Sequence, residues 1–178
     1  MRDDIRKLAI TARNNISSKD RREYNLYISK HLLDSSVFKD SANIAFYMSN
    51  SGEVDLSYFA EKTLDTGKKL YLPRLKGDSL EFCLYDNKIE LVTNRYGILE
   101  PVGSPVSLGD IDLIIVPAVA CDKKGNRLGR GAGYYDRVLA TVSCRIISAI
   151  YSVQLVDEFE TQDWDVPMHA VYTEKGIV

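Results

Sequence analysis

Residues 125–137 read GNRLGRGAGYYDR. Gly129, Gly131 and Gly133 fall within five residues, Arg127 and Arg130 stand among them, and Tyr134, Tyr135 and Asp136 follow. Bare backbone lets amide groups approach an oxyanion closely. Arginines add charge-assisted bonds to phosphate oxygens. A carboxylate at the edge of such a loop can hold Mg²⁺, a hard cation that takes oxygen ligands and bridges to nucleotide phosphates. The competing reading is a plain strand-to-helix turn with solvated arginines. The glycine spacing is neither the phosphate-loop motif with its Lys-Ser/Thr ending nor a full G-x-G-x-x-G fingerprint.

Other chemistries fit less well. Only two histidines occur, His31 and His169, and a Ser-His-Asp triad would depend on one of them. No HExxH motif or paired metal-type cluster is found. Glu53, in SGEVD, follows an apolar stretch that ends at Met48 and is a site candidate at a sheet edge. Three scattered cysteines, Cys83, Cys121 and Cys144, have no CxxC spacing. They argue against a disulfide framework or zinc site and fit a reducing, cytoplasmic setting.

The composition sets the frame for these residues. The chain has 178 residues, 45% hydrophobic and 27% charged, with a formal net charge of -2. That is enough chain for one domain with a sizeable core. Weak net charge speaks against general nucleic-acid or membrane-surface binding, which want a strongly basic face. No apolar stretch reaches membrane-span length, and MRDDIRKLAITARNN has no signal-peptide core. A monomer acting on a small molecule is expected.

Residues 2–14 read as a helix with Ile5, Leu8 and Ala12 on one side and Arg2, Arg6 and Arg13 on another. A second helix starts near Ser17, where Ser17 and Asp20 form a capping pattern. Its Tyr24, Tyr27, Ile28, His31 and Leu32 are a core stripe, so His31 is read as structural. NIAFYM (43–48) is a buried strand. Residues 55–66 are a helix with Asp55 as N-cap and Gly67 past its end. KLYLP (69–73) is a strand stopped by Pro73, and SLEFCLY (79–85) is another. Residues 86–110 are irregular. IDLIIVPAVA (111–120) has the composition of a buried parallel strand. YYDRVLATV (134–142) is helical, RIISAIY (145–151) a strand, and VPMHAVYT (166–173) closes the chain with a short strand. Trp164 is expected as a core or lid anchor. Alternating strands and helices indicate a three-layer α/β/α fold with a mostly parallel, Rossmann-like sheet. The glycine loop then leaves the carboxyl end of a central strand, where such sheets bind ligands.

VPAVACDKKGNRLGRGAGYYDR (116–137) closely resembles the signature of 5-formyltetrahydrofolate cyclo-ligases, the methenyltetrahydrofolate synthetases. RDDIR (2–6), FYMSNSGEVD (46–55), YLPR (71–74), YGILEP (96–101) and DWDVP (163–167) are similar to further family stretches in the same order. The resemblance covers essentially the whole chain, so residues 1–178 are expected to form one cyclo-ligase domain. It implies ATP- and Mg²⁺-dependent cyclisation of 5-formyltetrahydrofolate to 5,10-methenyltetrahydrofolate, with ADP and phosphate released, through a phosphorylated formyl group. By the same resemblance Arg127, Leu128, Gly129, Arg130, Gly131, Ala132, Gly133, Tyr134 and Tyr135 would cradle ATP, with Arg2 and Arg6 reaching it from the first helix. Met48, Glu53 and the stretch Arg130, Gly131, Ala132, Gly133 and Tyr134 would face the folate. Arg130 and Tyr134, shared by both, would be the catalytic residues, and Asp136 would ligate Mg²⁺. Arg2 stands where the family often has Lys. His169 stands where some members carry an acid, and no second metal ligand is assigned to it.

Two rivals remain at this point. One is a folate- or nucleotide-binding protein without catalysis, and the other is a sugar-phosphate isomerase of similar architecture. Intact Arg127, Arg130 and Asp136 speak against the first. The second lacks a convincing acid/base pair.

Overall fold

The computed structural model describes residues 1–50 and 52–178. Helices α1 (Arg2–Asn14), α2 (Ser18–Asp34) and α3 (Ser36–Lys39) precede strand β1 (Asn43–Ala45). Helix α4 (Ser57–Leu64) leads to the hairpin β2 (Lys69–Lys76) and β3 (Ser79–Tyr85), and then to a second, small hairpin, β4 (Leu91–Thr93) and β5 (Leu99–Pro101). Strands β6 (Leu113–Pro117), β7 (Ala120–Asp122) and β8 (Arg127–Leu128) come before α5 (Tyr134–Leu139). Strands β9 (Arg145–Ala149), β10 (Leu155–Val156), β11 (Ala170–Thr173) and β12 (Gly176–Ile177) complete the chain.

Seven strands form the main sheet in the order β12-β11-β9-β6-β1-β2-β3. The pairings from β11 to β2 are parallel, and the two edges, β12 and β3, are antiparallel. The period-two alternation of strand side chains sorts the core into two layers. Ile44, Leu113, Ile115 and Ile147 face Ile28 and Leu32 of α2, Phe38 of α3 and Phe59 of α4. Their chain neighbours Ala45, Ile114, Val116 and Ile146 face Val138 and Leu139 of α5. Burial on both faces explains why IDLIIVP shows no polar alternation. The expected three-layer architecture is therefore present.

Several local expectations are corrected. The apolar stripe on α1 is not Ile5, Leu8 and Ala12: Leu8 is 71% exposed, while Ala9 and Arg13 are buried. The inward face of α1 runs through Arg2, Ile5, Arg6, Ala9 and Arg13, because this helix packs against the site rather than the main core. Ser17 caps α2 as expected, accepting from the Asp20 amide at 3.1 Å, but Tyr27 lies at the surface. The N-cap of α4 is Leu56, and Asp55 instead accepts from the Ser57 amide at 2.9 Å in the preceding turn. Pro73 does not stop β2. Parallel pairing with β1 ends at Tyr71, so the missing N–H of Pro73 falls where no neighbour asks for it. Residues 86–110 hold the β4–β5 hairpin rather than irregular chain. Trp164 is exposed and anchors no core.

Candidate active site

The sheet order reverses between β1 and β6: chain from β1 proceeds to β2 on one side, chain from β6 to β9 on the other. Ligand-binding crevices open at the carboxyl ends of strands at such a point. A cleft of about 420 Å³ lies there. Tyr47, Met48, Asn50 and Glu53 line it from the segment after β1, and Pro117, Ala118 and Val119 from the end of β6. Pro73, Leu75 and Leu80 of the β2–β3 hairpin and Tyr96, Ile98, Leu99 and Glu100 of the β4–β5 hairpin supply the opposite wall. The glycine loop, from Arg127 through Gly129–Asp136, closes the remaining side.

The loop's geometry follows from its glycines at two positions in particular. A Cβ at Gly129 would sit 2.9 Å from Nη1 of Arg127, so glycine is what lets that guanidinium lie against the loop backbone. Gly133, the residue before α5, has φ +71°, a left-handed conformation that side chains disfavour. The amides of residues 129–133 have no protein acceptor among the described residues. They form a free row of donors.

Arg127 is buried. It donates from Nη1 to the carbonyl of Pro117 at 3.0 Å and from Nη2 to Oδ1 of Asp136, and lies over the Tyr135 ring. Its Nε is buried with no partner. Arg6 donates from Nε to the carbonyl of Gly129 at 2.9 Å, so α1 reaches the loop directly. Arg2 is held off the loop by a two-pronged bond to Asp165, at 2.6 and 3.2 Å, and by the carbonyl of Glu160. Burial pushes the Asp165 carboxyl up, but Arg2 and the Gln162 amide outweigh it and hold it low.

Glu53 is positioned by its own turn and by Arg130. Its Oε2 accepts from the Asn50 amide at 2.9 Å, and its Oε1 accepts from Arg130 Nε and Nη2 at 3.1 and 2.8 Å. Arg21 of α2 donates to the neighbouring carbonyl of Gly52 at 2.9 Å and so ties this turn to the helix layer. Buried Arg13 lies beneath the same region; burial pulls its guanidinium down, opposed by the charge of Glu53. Burial pushes the Tyr135 and Tyr47 phenols well up, so both present uncharged rings to the cleft. Tyr134 is half-buried. Its hydroxyl lies 3.1 Å from that of Tyr96 and accepts from Arg95 at 3.2 Å, and these two bonds lower its pKa.

Arg127, Leu128, Gly129, Arg130, Gly131, Ala132, Gly133, Tyr134, Tyr135 and Asp136 thus come together with Met48, Glu53 and Arg6; Leu128 is buried beneath the loop, in a cluster with Ala9 of α1. Arg2 stands at the periphery on Asp165. His169 bonds the β9 backbone, its Nδ1 accepting from the Ile146 amide at 3.0 Å, and His31 bonds the Thr173 carbonyl at 3.0 Å. Sequence reasoning gave no role to Arg95, Tyr96, Asn94 or Glu100. Their signal was the NRYG turn between LVT and ILEP, which makes the β4–β5 hairpin: Asn94 Oδ1 accepts from the amides of Tyr96 and Ile98 at 2.9 and 3.1 Å.

The residues present fit a nucleoside triphosphate and a divalent cation. The open amides of 129–133, the unpartnered Nε of Arg127 and the two other arginines make a site for phosphate oxygens. No group of three or more potential metal ligands exists among the described residues. Asp136 is the one carboxylate of the loop, and a Mg²⁺ that keeps water and phosphate oxygens as its other ligands would need no more from the protein than such a group.

The 5-formyltetrahydrofolate cyclo-ligase family model matches residues 1–174. The 5-formyltetrahydrofolate cyclo-ligase of Haemophilus influenzae is 30% identical over 177 residues, covering 94% of this chain and 92% of the relative. That of Escherichia coli K12 is 36% identical over 143 residues, covering 75% of this chain and 79% of the relative. Among solved structures, the 5,10-methenyltetrahydrofolate synthetase of Aquifex aeolicus superposes with a TM-score of 0.89 at 34% identity, covering 99% of this chain and 91% of that one. A match that runs through α1, the glycine loop and the last parallel strand takes in every wall of the cleft, and the chain belongs to the 5-formyltetrahydrofolate cyclo-ligase family.

Proposed function

We propose that the cyclo-ligase reaction in this cleft consumes ATP with Mg²⁺ and runs through a phosphorylated formyl group, with residues 1–178 acting as one domain. The observation that carries this reading is the row of unsatisfied amides at 129–133 beside the orphaned Nε of Arg127. The buried Nε of Arg127 is costly without an acceptor, and a phosphate oxygen relieves that cost, while the loop amides, on exposed or half-buried residues, exchange water for the same oxygens.

The chemistry requires activation of the formyl group. An amide oxygen is a poor leaving group, so it must first be converted to a phosphate. The formyl oxygen of 5-formyltetrahydrofolate attacks the γ-phosphorus, and the bond to the β–γ bridging oxygen breaks to release ADP. N10 then attacks the activated carbon and loses its proton, and the C–O bond breaks to release phosphate. The product is the 5,10-methenyl cation. Phosphoryl transfer asks the protein for positioning and charge neutralisation rather than a covalent partner. Arg127, Arg6 and the loop amides hold the phosphates. Arg130, which already bridges to Glu53, sits between the nucleotide side and the folate side. Tyr134 adds a hydroxyl at the same seam. Met48 and Glu53 contact the folate. Asp136 binds the cation, whose charge offsets that of the transferring phosphoryl group.

The test is growth of the methenyl-folate absorbance on mixing the protein with 5-formyltetrahydrofolate, Mg²⁺ and ATP in mildly acid buffer. Growth that requires both ATP and Mg²⁺, with one ADP formed per product, is expected. Growth without nucleotide would remove the phosphorylated intermediate. Folate binding without growth would leave a binding protein on an enzyme's scaffold.

A further inference from the structure

Glu100 is a buried carboxylate, 9% exposed, in the wall of the cleft. It lies on β5, opposite Val92 in the small hairpin. One of its oxygens is fully engaged: Oε1 accepts from the Leu75 amide at 2.9 Å and from Asn94 Nδ2 at 2.8 Å. The first bond joins the two hairpins, the second ties Glu100 to the turn of its own hairpin, and together they hold that oxygen in place. Oε2 has no partner among the described residues, yet it is not sealed from solvent. Leu75, Leu80, Ile98 and Leu99 line the same wall, and the one nearby cation among the described residues, Arg74, is engaged with Glu81 and the Pro101 carbonyl and gives Oε2 no bond. A charged group in an apolar wall with one oxygen clamped and one open is costly unless something donates to the open one. Of the other cleft carboxylates, Glu53 already has both oxygens engaged, by Arg130 and by the Asn50 amide, and Asp136 is bonded to Arg127.

We propose that Glu100 positions the folate by accepting, at Oε2, an N–H of the pterin ring's amino-amide edge, while the apolar residues beside it pack on the ring face. This rests on the folate reading above. A reduced pterin supplies both features the wall asks for: a flat body to cover leucine and isoleucine, and amide and amino N–H groups at one edge. The role is binding and orientation. Glu100 makes no bond to the phosphate loop, so the nucleotide side is untouched by it.

Glu100→Gln tests this, since the amide keeps the shape and keeps an oxygen for Leu75 and Asn94 while turning the cleft-facing acceptor into a donor. The expected result is a roughly 10- to 100-fold rise in KM for 5-formyltetrahydrofolate, in line with loss of a charged hydrogen bond, with kcat and the KM for ATP close to wild type. A fall in kcat at unchanged KM would overturn the proposal, because it would place Glu100 at the reacting atoms. Unchanged kinetics with a lowered melting temperature would also overturn it and leave Glu100 as a hairpin clamp. A second measurement works from the ligand side and does not depend on how the variant folds. The 2-desamino analogue should bind wild-type protein at least about tenfold more weakly than the parent folate, and E100Q should not distinguish the two. Equal preference in both proteins would refute the contact. Wild-type turnover is the control: if wild type itself forms no product, the enzymatic reading fails independently of Glu100.

Discussion

Arg130 donates two bonds to a single oxygen of Glu53, from a residue 77 positions further along the chain. The pair joins the glycine loop to the turn that follows β1, and so spans the cleft. Its stabilising value is small, because the Arg130 side chain is 49% exposed and such pairs contribute about 0–1 kcal/mol. Its effect is on placement: the two halves of the site are held in one register before any ligand arrives.

Glu53→Gln should therefore fold normally and bind nucleotide as the wild type does. The KM for 5-formyltetrahydrofolate should rise about tenfold, the order expected for one charge-assisted bond. Separate titrations of nucleotide and folate check this. A loss confined to nucleotide affinity would show that the division of the cleft is wrong.

Asp136→Asn probes the metal. Arg127 is buried and Asp136 is its only carboxylate partner among the described residues, and removing one member of a buried pair commonly costs about 3–5 kcal/mol. Asparagine retains an oxygen for Arg127, so the loss should be smaller and the fold should persist. The Mg²⁺ concentration for half-maximal activity should rise by tenfold or more, the order of a lost charged contact. Activity measured against free Mg²⁺ at saturating ATP decides it, and an unchanged curve would take Asp136 off the metal.

How much of this was legible in the sequence differs between elements for physical reasons. The strands of the main sheet were legible because burial on both faces leaves a short β-branched run, as in IDLIIVP. The cap at Ser17 was legible because a hydroxyl three residues before an acid has a local meaning. The α1 stripe was misread because it is read against the wrong partner. Arg6 and Arg13 face inward, toward the loop and the turn after β1, which periodicity alone marks as solvent. The loop's residues were visible as a group. The Arg127–Asp136 and Arg130–Glu53 pairs were not, because which charges meet is decided by how the glycine loop folds back on itself and by the parallel pairing of β6 with β1, which brings the loop beside the turn after β1. The β4–β5 hairpin was missed because its strands have three residues each, too few for alternation to show.

That hairpin is fastened to the loop by Tyr134, whose hydroxyl meets Tyr96 and Arg95. Tyr134→Phe removes both bonds and leaves the ring. Amides of residues 91–101 should then exchange with deuterium several-fold faster, and the KM for 5-formyltetrahydrofolate should rise. Stability of the main sheet should not change, since the bonds lie at the surface. Unaltered exchange in the hairpin would show that Tyr96 and Ile98 are held by the Asn94 turn alone.

Cys121 gives the molecule an alkaline limit. It is fully buried on β7, and burial pushes its thiol up to about 12 from 9.0, despite the Ser148 hydroxyl. Above pH 9 the unfolded chain releases this proton while the folded chain keeps it. The unfolded state then binds fewer protons, so stability falls as pH rises, by about 1.4 kcal/mol per pH unit for one thiol. The stabilisation is complete below pH 9 and is lost as pH climbs toward 12. Cys121→Ala removes that proton from the balance. Its stability at neutral pH drops slightly through the lost sulfur contacts, but its decline between pH 9 and 10.5 should be shallower than wild type by about one proton's slope. Denaturant melts at a series of pH values measure both slopes. Parallel slopes would mean that Cys121 ionises alike in the two states, and that its environment in β7 opens to water.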